Sequence, residues 1–213
     1  MSKNKPKFIA VEGGEGSGKS SLVASLKETL GESVVTAREP GGSPYAELIR
    51  SAALKNPLAK TAPAETTLCL MFAARFDNLH NLIIPALNGG KSVITDRFDA
   101  SSYAYNVLAQ SCGELEKLFW DLRGQLLILP DVYVFIDVEP KEGMRRANSR
   151  NQSLISGKQY DHFDGREIKF HQKVKEGYEK FFKKISHIVI DANRPFGEVK
   201  KDFIDEIKKR LNS

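Results

Sequence analysis

The chain has 213 residues, 41% hydrophobic and 28% charged, with a formal net charge of +5. That balance fits one globular domain with a full core and excludes an intrinsically disordered chain. Two widely separated cysteines (69 and 112) and four scattered histidines exclude a disulfide framework and a structural zinc site, and no apolar run approaches the ~18 residues of a membrane span.

The N-terminal MSKNKPK is basic but leads straight into a short apolar run, without the longer apolar core of a signal peptide. A cytoplasmic protein in a reducing compartment is the expectation. The first strand is read at 8–12 (FIAVE). A helix over 19–30 follows, with Leu22, Leu26 and Leu30 at spacing four and Gly31 as its stop. The second strand is 33–38 (SVVTAR). A long apolar-periodic helix covers 64–88, entered through Pro63 and closed by Gly89-Gly90, with Pro85 expected to bend or end it. Cys69, between Leu68 and Leu70, reads as buried filler.

The third strand is 92–97 (SVITDR), then a helix at 113–129, a fourth strand at 132–138 (VYVFIDV) and a helix at 139–150. The stretch 148–163 is polar and weakly periodic, and reads as a loop or lid. A helix at 165–184, a fifth strand at 187–192 (HIVIDA) and a helix at 196–211 complete the chain. The strands are rich in Val and Ile and mostly apolar, as strands covered on both faces of a parallel sheet are. Strand–helix alternation then predicts a single doubly wound α/β domain over 1–213, with a lid at about 145–163 and ligands at the carboxyl ends of the strands.

Between the first strand and first helix stands Gly13-x-x-x-x-Gly18-Lys19-Ser20, the phosphate-binding P-loop pattern in its proper context. The glycines let backbone N–H groups turn inward, and the helix N-terminus adds positive potential. Lys19 is placed to reach the β- and γ-phosphates and Ser20 to ligate Mg²⁺, so ATP with Mg²⁺ is the expected cofactor pair. Glu15 is out of character in an anion cradle. It should point to a cation or to a hydroxyl that donates to it. No guanine-reading N-K-x-D motif is present. The excess positive charge is assigned to solvated helix faces and small polyanionic substrates, not to nucleic acid.

Six motifs in order, FIAVEGGEGSGKSS, REPGGSP, FAAR…IIPAL, ITDRFDASSYAY, FIDVEPKEGMRRANSR and IDANRP, resemble the bacterial thymidylate kinases of the nucleoside monophosphate kinase group. The resemblance covers nearly the whole chain. It implies a three-layer P-loop fold with a five-stranded parallel core, a homodimer, and ATP- and Mg²⁺-dependent phosphorylation of dTMP to dTDP, on the route to dTTP. It implies an ATP set of Gly13, Gly16, Ser17, Gly18, Lys19, Ser20 and Ser21 with Arg146 and Arg150, and a metal set of Ser20 and Asp96. For dTMP it implies Arg97 with Arg38 on the phosphate, Arg75 on a thymine carbonyl, and Glu15, Ser101, Tyr105 and Asn106 around the nucleoside. The catalytic set is Lys19, Arg97, Arg146, Arg150 and Glu15.

Three departures from the family pattern stand out. The aromatic usually found four residues before the arginine is Met71 here, and Phe72 comes one position late, so either could meet the base. Asn106 replaces a glutamine, and His162 follows Asp161 where an arginine is common. Some relatives carry an arginine after the loop acid. Here that residue is Gly16, so the positive charge must come from Arg146 and Arg150.

Overall fold

Strand β1 (Phe8–Gly13) shows why the sheet is covered on both faces. Successive side chains point to opposite sides of a strand. Phe8 and Ala10 therefore join one apolar core, with Leu68, Phe72, Phe119 and Phe181, while Ile9 and Val11 join a second, with Leu22, Leu26, Val199 and Phe203. The computed structural model describes residues 5–153 and 167–212, with side chains throughout except at 150–153.

After β1 comes α1 (Lys19–Leu30); β2 (Val34–Arg38) is followed by α2 (Pro44–Arg50), α3 (Ala64–Asn78) and α4 (Ile84–Asn88). Strand β3 (Ser92–Asp96) precedes α5 (Asp99–Ser102) and α6 (Leu115–Gly124), and β4 (Val132–Asp137) precedes α7 (Pro140–Ser153) and α8 (Ile168–Phe182). Strand β5 (Ile188–Asp191) and α9 (Phe196–Leu211) follow. The sheet order is β2-β3-β1-β4-β5 with every pairing parallel. The three-layer, five-stranded expectation is met. With β1 central, its loop opens between the carboxyl ends of β3 and β4, and the register Arg38↔Asp96 puts two site candidates on neighbouring strands.

The strands fall within one residue of their expected ends, and α1 and α9 match at both ends. The single helix expected at 64–88 is instead α3 and α4 joined by a wide turn, Leu79–Ile83, in which the Ile84 N–H donates to the Leu79 carbonyl. Pro85 lies just beyond it. The wide turn absorbs the donor that proline lacks, so the helix continues to Asn88. Cys69 is exposed, not filler: α3 buries Leu68 and Phe72 and turns position 69 outward. The lid reading also changes, because α7 runs through Ser153 and makes 148–153 helical. The remainder, 154–163 with Asp161 and His162, lies outside the described residues.

Two helical segments were not expected, α2 and α5 with their wide-turn extensions Ser51–Lys55 and Tyr103–Leu108. The first is short. The second is buried nearly all round, so it has no amphipathic period to read.

Candidate active site

The loop after β1 turns through glycines. At Gly16, φ is 69°, and a Cβ would lie 1.9 Å from the carbonyl oxygen of Gly143 in the first turns of α7. In return, a Cβ at Gly143 would lie 2.3 Å from the carbonyl oxygen of Glu15. The loop and α7 thus meet backbone to backbone, and only glycine fits at either position. Helix α1 begins at Lys19, so its free N–H groups face the loop. Lys19 is buried and its Nζ donates to the Gly14 carbonyl (2.8 Å) and to Ser17 Oγ (3.2 Å). Burial, then Arg97, lowers its pKa to about 8, while Asp96, Glu15 and Glu12 oppose the shift. Ser20 and Ser21 are exposed at the mouth, and Ser20 Oγ donates to Asp96 Oδ2. Asp96 Oδ1 is buried and has no partner among the described residues. A bare carboxylate oxygen beside a hydroxyl is a donor set for a hard cation such as Mg²⁺.

Arg97 follows β3 with φ at 72°, a left-handed conformation that costs energy outside glycine. Its backbone is pinned on both sides: its N–H donates to the Val11 carbonyl (2.9 Å), and Thr95 Oγ1 donates to its carbonyl (2.9 Å). The twist aims the side chain across the end of β1. Nη1 donates to the Gly13 carbonyl (3.0 Å), Ser101 Oγ (3.1 Å) and Tyr178 hydroxyl (3.1 Å). Nη2 meets the Tyr105 hydroxyl (3.4 Å) and lies 4.0 Å from Glu15. Beneath sits Glu12, fully buried, which accepts from Ser101 Oγ (2.6 Å) and the Phe98 N–H (2.9 Å). Burial raises its pKa to about 7, with Ser101 and Arg97 opposing and Asp99 adding.

Of these, Glu15, Arg97, Ser101 and Tyr105 line one wall of a cleft of about 610 Å³, open mouth included. Arg75, only 2% exposed, lines it too. It pairs through Nε with Glu39 (2.7 Å), donates through Nη2 to Ser102 Oγ and the Phe98 carbonyl (both 2.9 Å), and lies against the rings of Phe72 and Phe98. Burial raises the Glu39 pKa against the opposing pull of Arg75. Arg75 Nη1 and Asn106 Nδ2 are buried with no partner among the described residues, and both residues line the cleft.

Of the two candidates for the base contact, Met71 lines the cleft. The Phe72 ring is in the core, 5.7 Å from Phe119. Its expected substrate contact is therefore corrected: position 72 faces the neighbouring helix. Arg38 is 57% exposed, bonds both carboxylate oxygens of Glu47, and lines a separate cavity with Ser20 and Asp96 rather than this cleft. Glu47 is fixed by the Gly42 N–H (2.9 Å), and so it captures the guanidinium. Arg50 stands in the cleft wall instead, its Nη1 on the Pro40 carbonyl (2.7 Å). Arg146 is on α7, bonded to Glu142 (2.7 Å) and the Ala192 carbonyl (2.8 Å). The Arg150 side chain lies outside the described residues. Sequence reasoning missed Glu12, Arg50 and Tyr178. Glu12 alone left a trace, as a charge ending an apolar strand.

A phosphate loop after the central strand of a 2-3-1-4-5 parallel sheet, beside an arginine-lined cleft, defines a P-loop nucleotide kinase fold. The thymidylate kinase family model matches residues 11–203. The thymidylate kinase of Acholeplasma laidlawii is 39% identical over 211 residues, 96% of this chain and 100% of that one. That of Halalkalibacterium halodurans is also 39% identical, over 96% of this chain and 97% of the relative. The crystal structure of thymidylate kinase from Ehrlichia chaffeensis superposes with a TM-score of 0.70 at 25% identity, covering 95% of this chain and 98% of that one. The chain belongs to the thymidylate kinase family.

Proposed function

We propose that the protein transfers the γ-phosphate of ATP to dTMP, with Mg²⁺, giving dTDP and ADP. One observation carries the reading: a single cleft is lined by Glu15 of the phosphate-binding loop and by Arg97, and also holds two bare buried donors, Arg75 Nη1 and Asn106 Nδ2. A nucleoside monophosphate fits that lining. Arginine can only donate, so its partner on the base is an acceptor, and the C4 carbonyl oxygen of thymine supplies one where cytosine carries an amino group.

The acceptor is a phosphate monoester whose second pKa is about 6, so it is already a nucleophile at pH 7 and needs no general base. The protein's work is to bring two polyanions together in line and offset their charge. Arg97 and Arg50 hold the acceptor phosphate. The loop N–H groups from Gly13 to Ser21 and Lys19 hold the ATP phosphates. Ser20 and Asp96 are suited to Mg²⁺, which when bound neutralises charge on those phosphates. Glu15, on the cleft wall, serves the acceptor's sugar hydroxyl, with Ser101 and Tyr105 beside it. Arg146 and Arg150 of α7 act on the transferring phosphate.

A coupled ADP-release assay with dTMP, dUMP, dCMP, UMP, AMP, GMP and thymidine tests the reading. The largest stimulation is expected with dTMP, and no stimulation by dTMP above ATP alone would end it. We read the assembly as a cytoplasmic homodimer. Among the described residues no helix is long and apolar enough to cross a membrane, and Tyr45 and Leu48 of α2, with Leu58, are exposed apolar groups suited to a second copy. Sedimentation at micromolar concentration checks the dimer.

A further inference from the structure

Tyr178 lies on α8, far in sequence from the loop, with its ring wholly buried beside Phe135 and Phe182. Its hydroxyl reaches the site wall. It donates to the Gly13 carbonyl (3.0 Å), lies 2.7 Å from Ser101 Oγ and accepts from Arg97 Nη1 (3.1 Å). A buried hydroxyl with no task beyond its own satisfaction would be content with one carbonyl. This one joins three elements: the end of β1, the turn after β3 and the start of α5. It closes the set of partners around Nη1, which is held by Gly13, Ser101 and Tyr178 together. Nη2, on the same planar group, turns to Tyr105 and Glu15, and both of those residues line the cleft. Because the guanidinium is rigid and flat, fixing Nη1 fixes where Nη2 points.

We infer that Tyr178 is a positioning residue for acceptor binding: its hydroxyl holds the Arg97 guanidinium so that Nη2 meets the acceptor's phosphate, without itself touching the nucleotide. The inference rests on the reading of Arg97 as the acceptor-phosphate arginine. Tyr178→Phe deletes one oxygen and keeps the ring. In the full-length protein it is expected to raise the KM for dTMP about tenfold, as for one weakened bond to a charged group, with the KM for ATP within about twofold.

Tyr133→Phe is the control. It removes another buried hydroxyl, bonded to the Asp99–Arg123 pair away from the cleft. It is expected to lower the thermal midpoint and leave the dTMP KM unchanged. If Tyr178→Phe behaves the same way, its role is structural and the inference is overturned. In an Arg97→Ala background the effect of Tyr178→Phe on KM should vanish; a persistent rise would show action through another route and overturn it as well. Should Arg97→Ala alone leave the dTMP KM unchanged, the reading of Arg97 fails and the inference falls with it.

Discussion

On the acceptor side of the proposed site, Arg75 and Arg97 line one cleft and are held by buried partners: Glu39 and Ser102 around one, Gly13, Ser101 and Tyr178 around the other. At the α7 end, Arg146 has 30% of its side chain exposed and shares Glu142 with the more exposed Arg145. The Glu142 pKa is lowered to about 2 by hydrogen bonds from Arg145 and Arg146, so this carboxylate stays charged at any working pH. The acceptor end is built before substrate arrives, and its arginines need no reorganisation. The α7 end pairs its charge with the Glu142 carboxylate, which in the proposed reaction a phosphate must outcompete. Fixed partners suit recognition, and an exchangeable pair suits a step that occurs only with ATP in place.

The largest test concerns what the fixed end costs. Glu12 has a pKa of about 7 in the fold against 4.5 ordinarily, so the folded state holds its proton more tightly than the unfolded chain. Its contribution to stability is present below pH 4.5 and is lost as pH rises through 7, a decline of about 3 kcal/mol. Glu12→Gln should flatten that decline in denaturant unfolding between pH 5 and 8. Glu39, also raised by burial, contributes in the same direction in both proteins and cancels. Parallel slopes for wild type and variant would remove the buried acid from the account.

Next is Arg97→Ala, expected to raise the dTMP KM about a hundredfold, the scale of a lost charge-assisted bond, with ATP binding by titration nearly intact. Equal damage to both substrates would mean that the two ends are not separate. Arg146→Ala should lower kcat about tenfold with little change in the dTMP KM, a smaller loss because its phosphate contact competes with Glu142. Smallest is Glu142→Gln, which frees Arg146 and should tighten ATP binding about twofold. Weaker ATP binding would show that the pair is there to hold α7, and the contrast between the two ends would disappear.

How much of this was legible in the sequence follows the same divide. The strands, the loop and Lys19 could be read because each is written in consecutive residues. The placement of Met71 over Phe72 could not, since a one-residue rotation on α3 decides which faces the cleft. Arg38 could be read as ending a strand, but not its pairing with Glu47 on the unexpected helix α2. Arg50 and Tyr178 sit in amphipathic or buried helix faces, where arginine and tyrosine are ordinary. Arg50 is placed by the packing of α2 on α3 and its bond to the loop after β2, and Tyr178 by the meeting of α8 with the end of β1.

The meeting of Gly16 with Gly143 has a consequence for anyone rebuilding this catalyst. A cationic side chain grafted into the loop at position 16 would collide with the α7 main chain, and an alanine at 143 would strike the loop in turn. The two sites behave as one joint, so neither can be redesigned alone. Moving the cation from α7 into the loop is a change of helix seating first and of residue second.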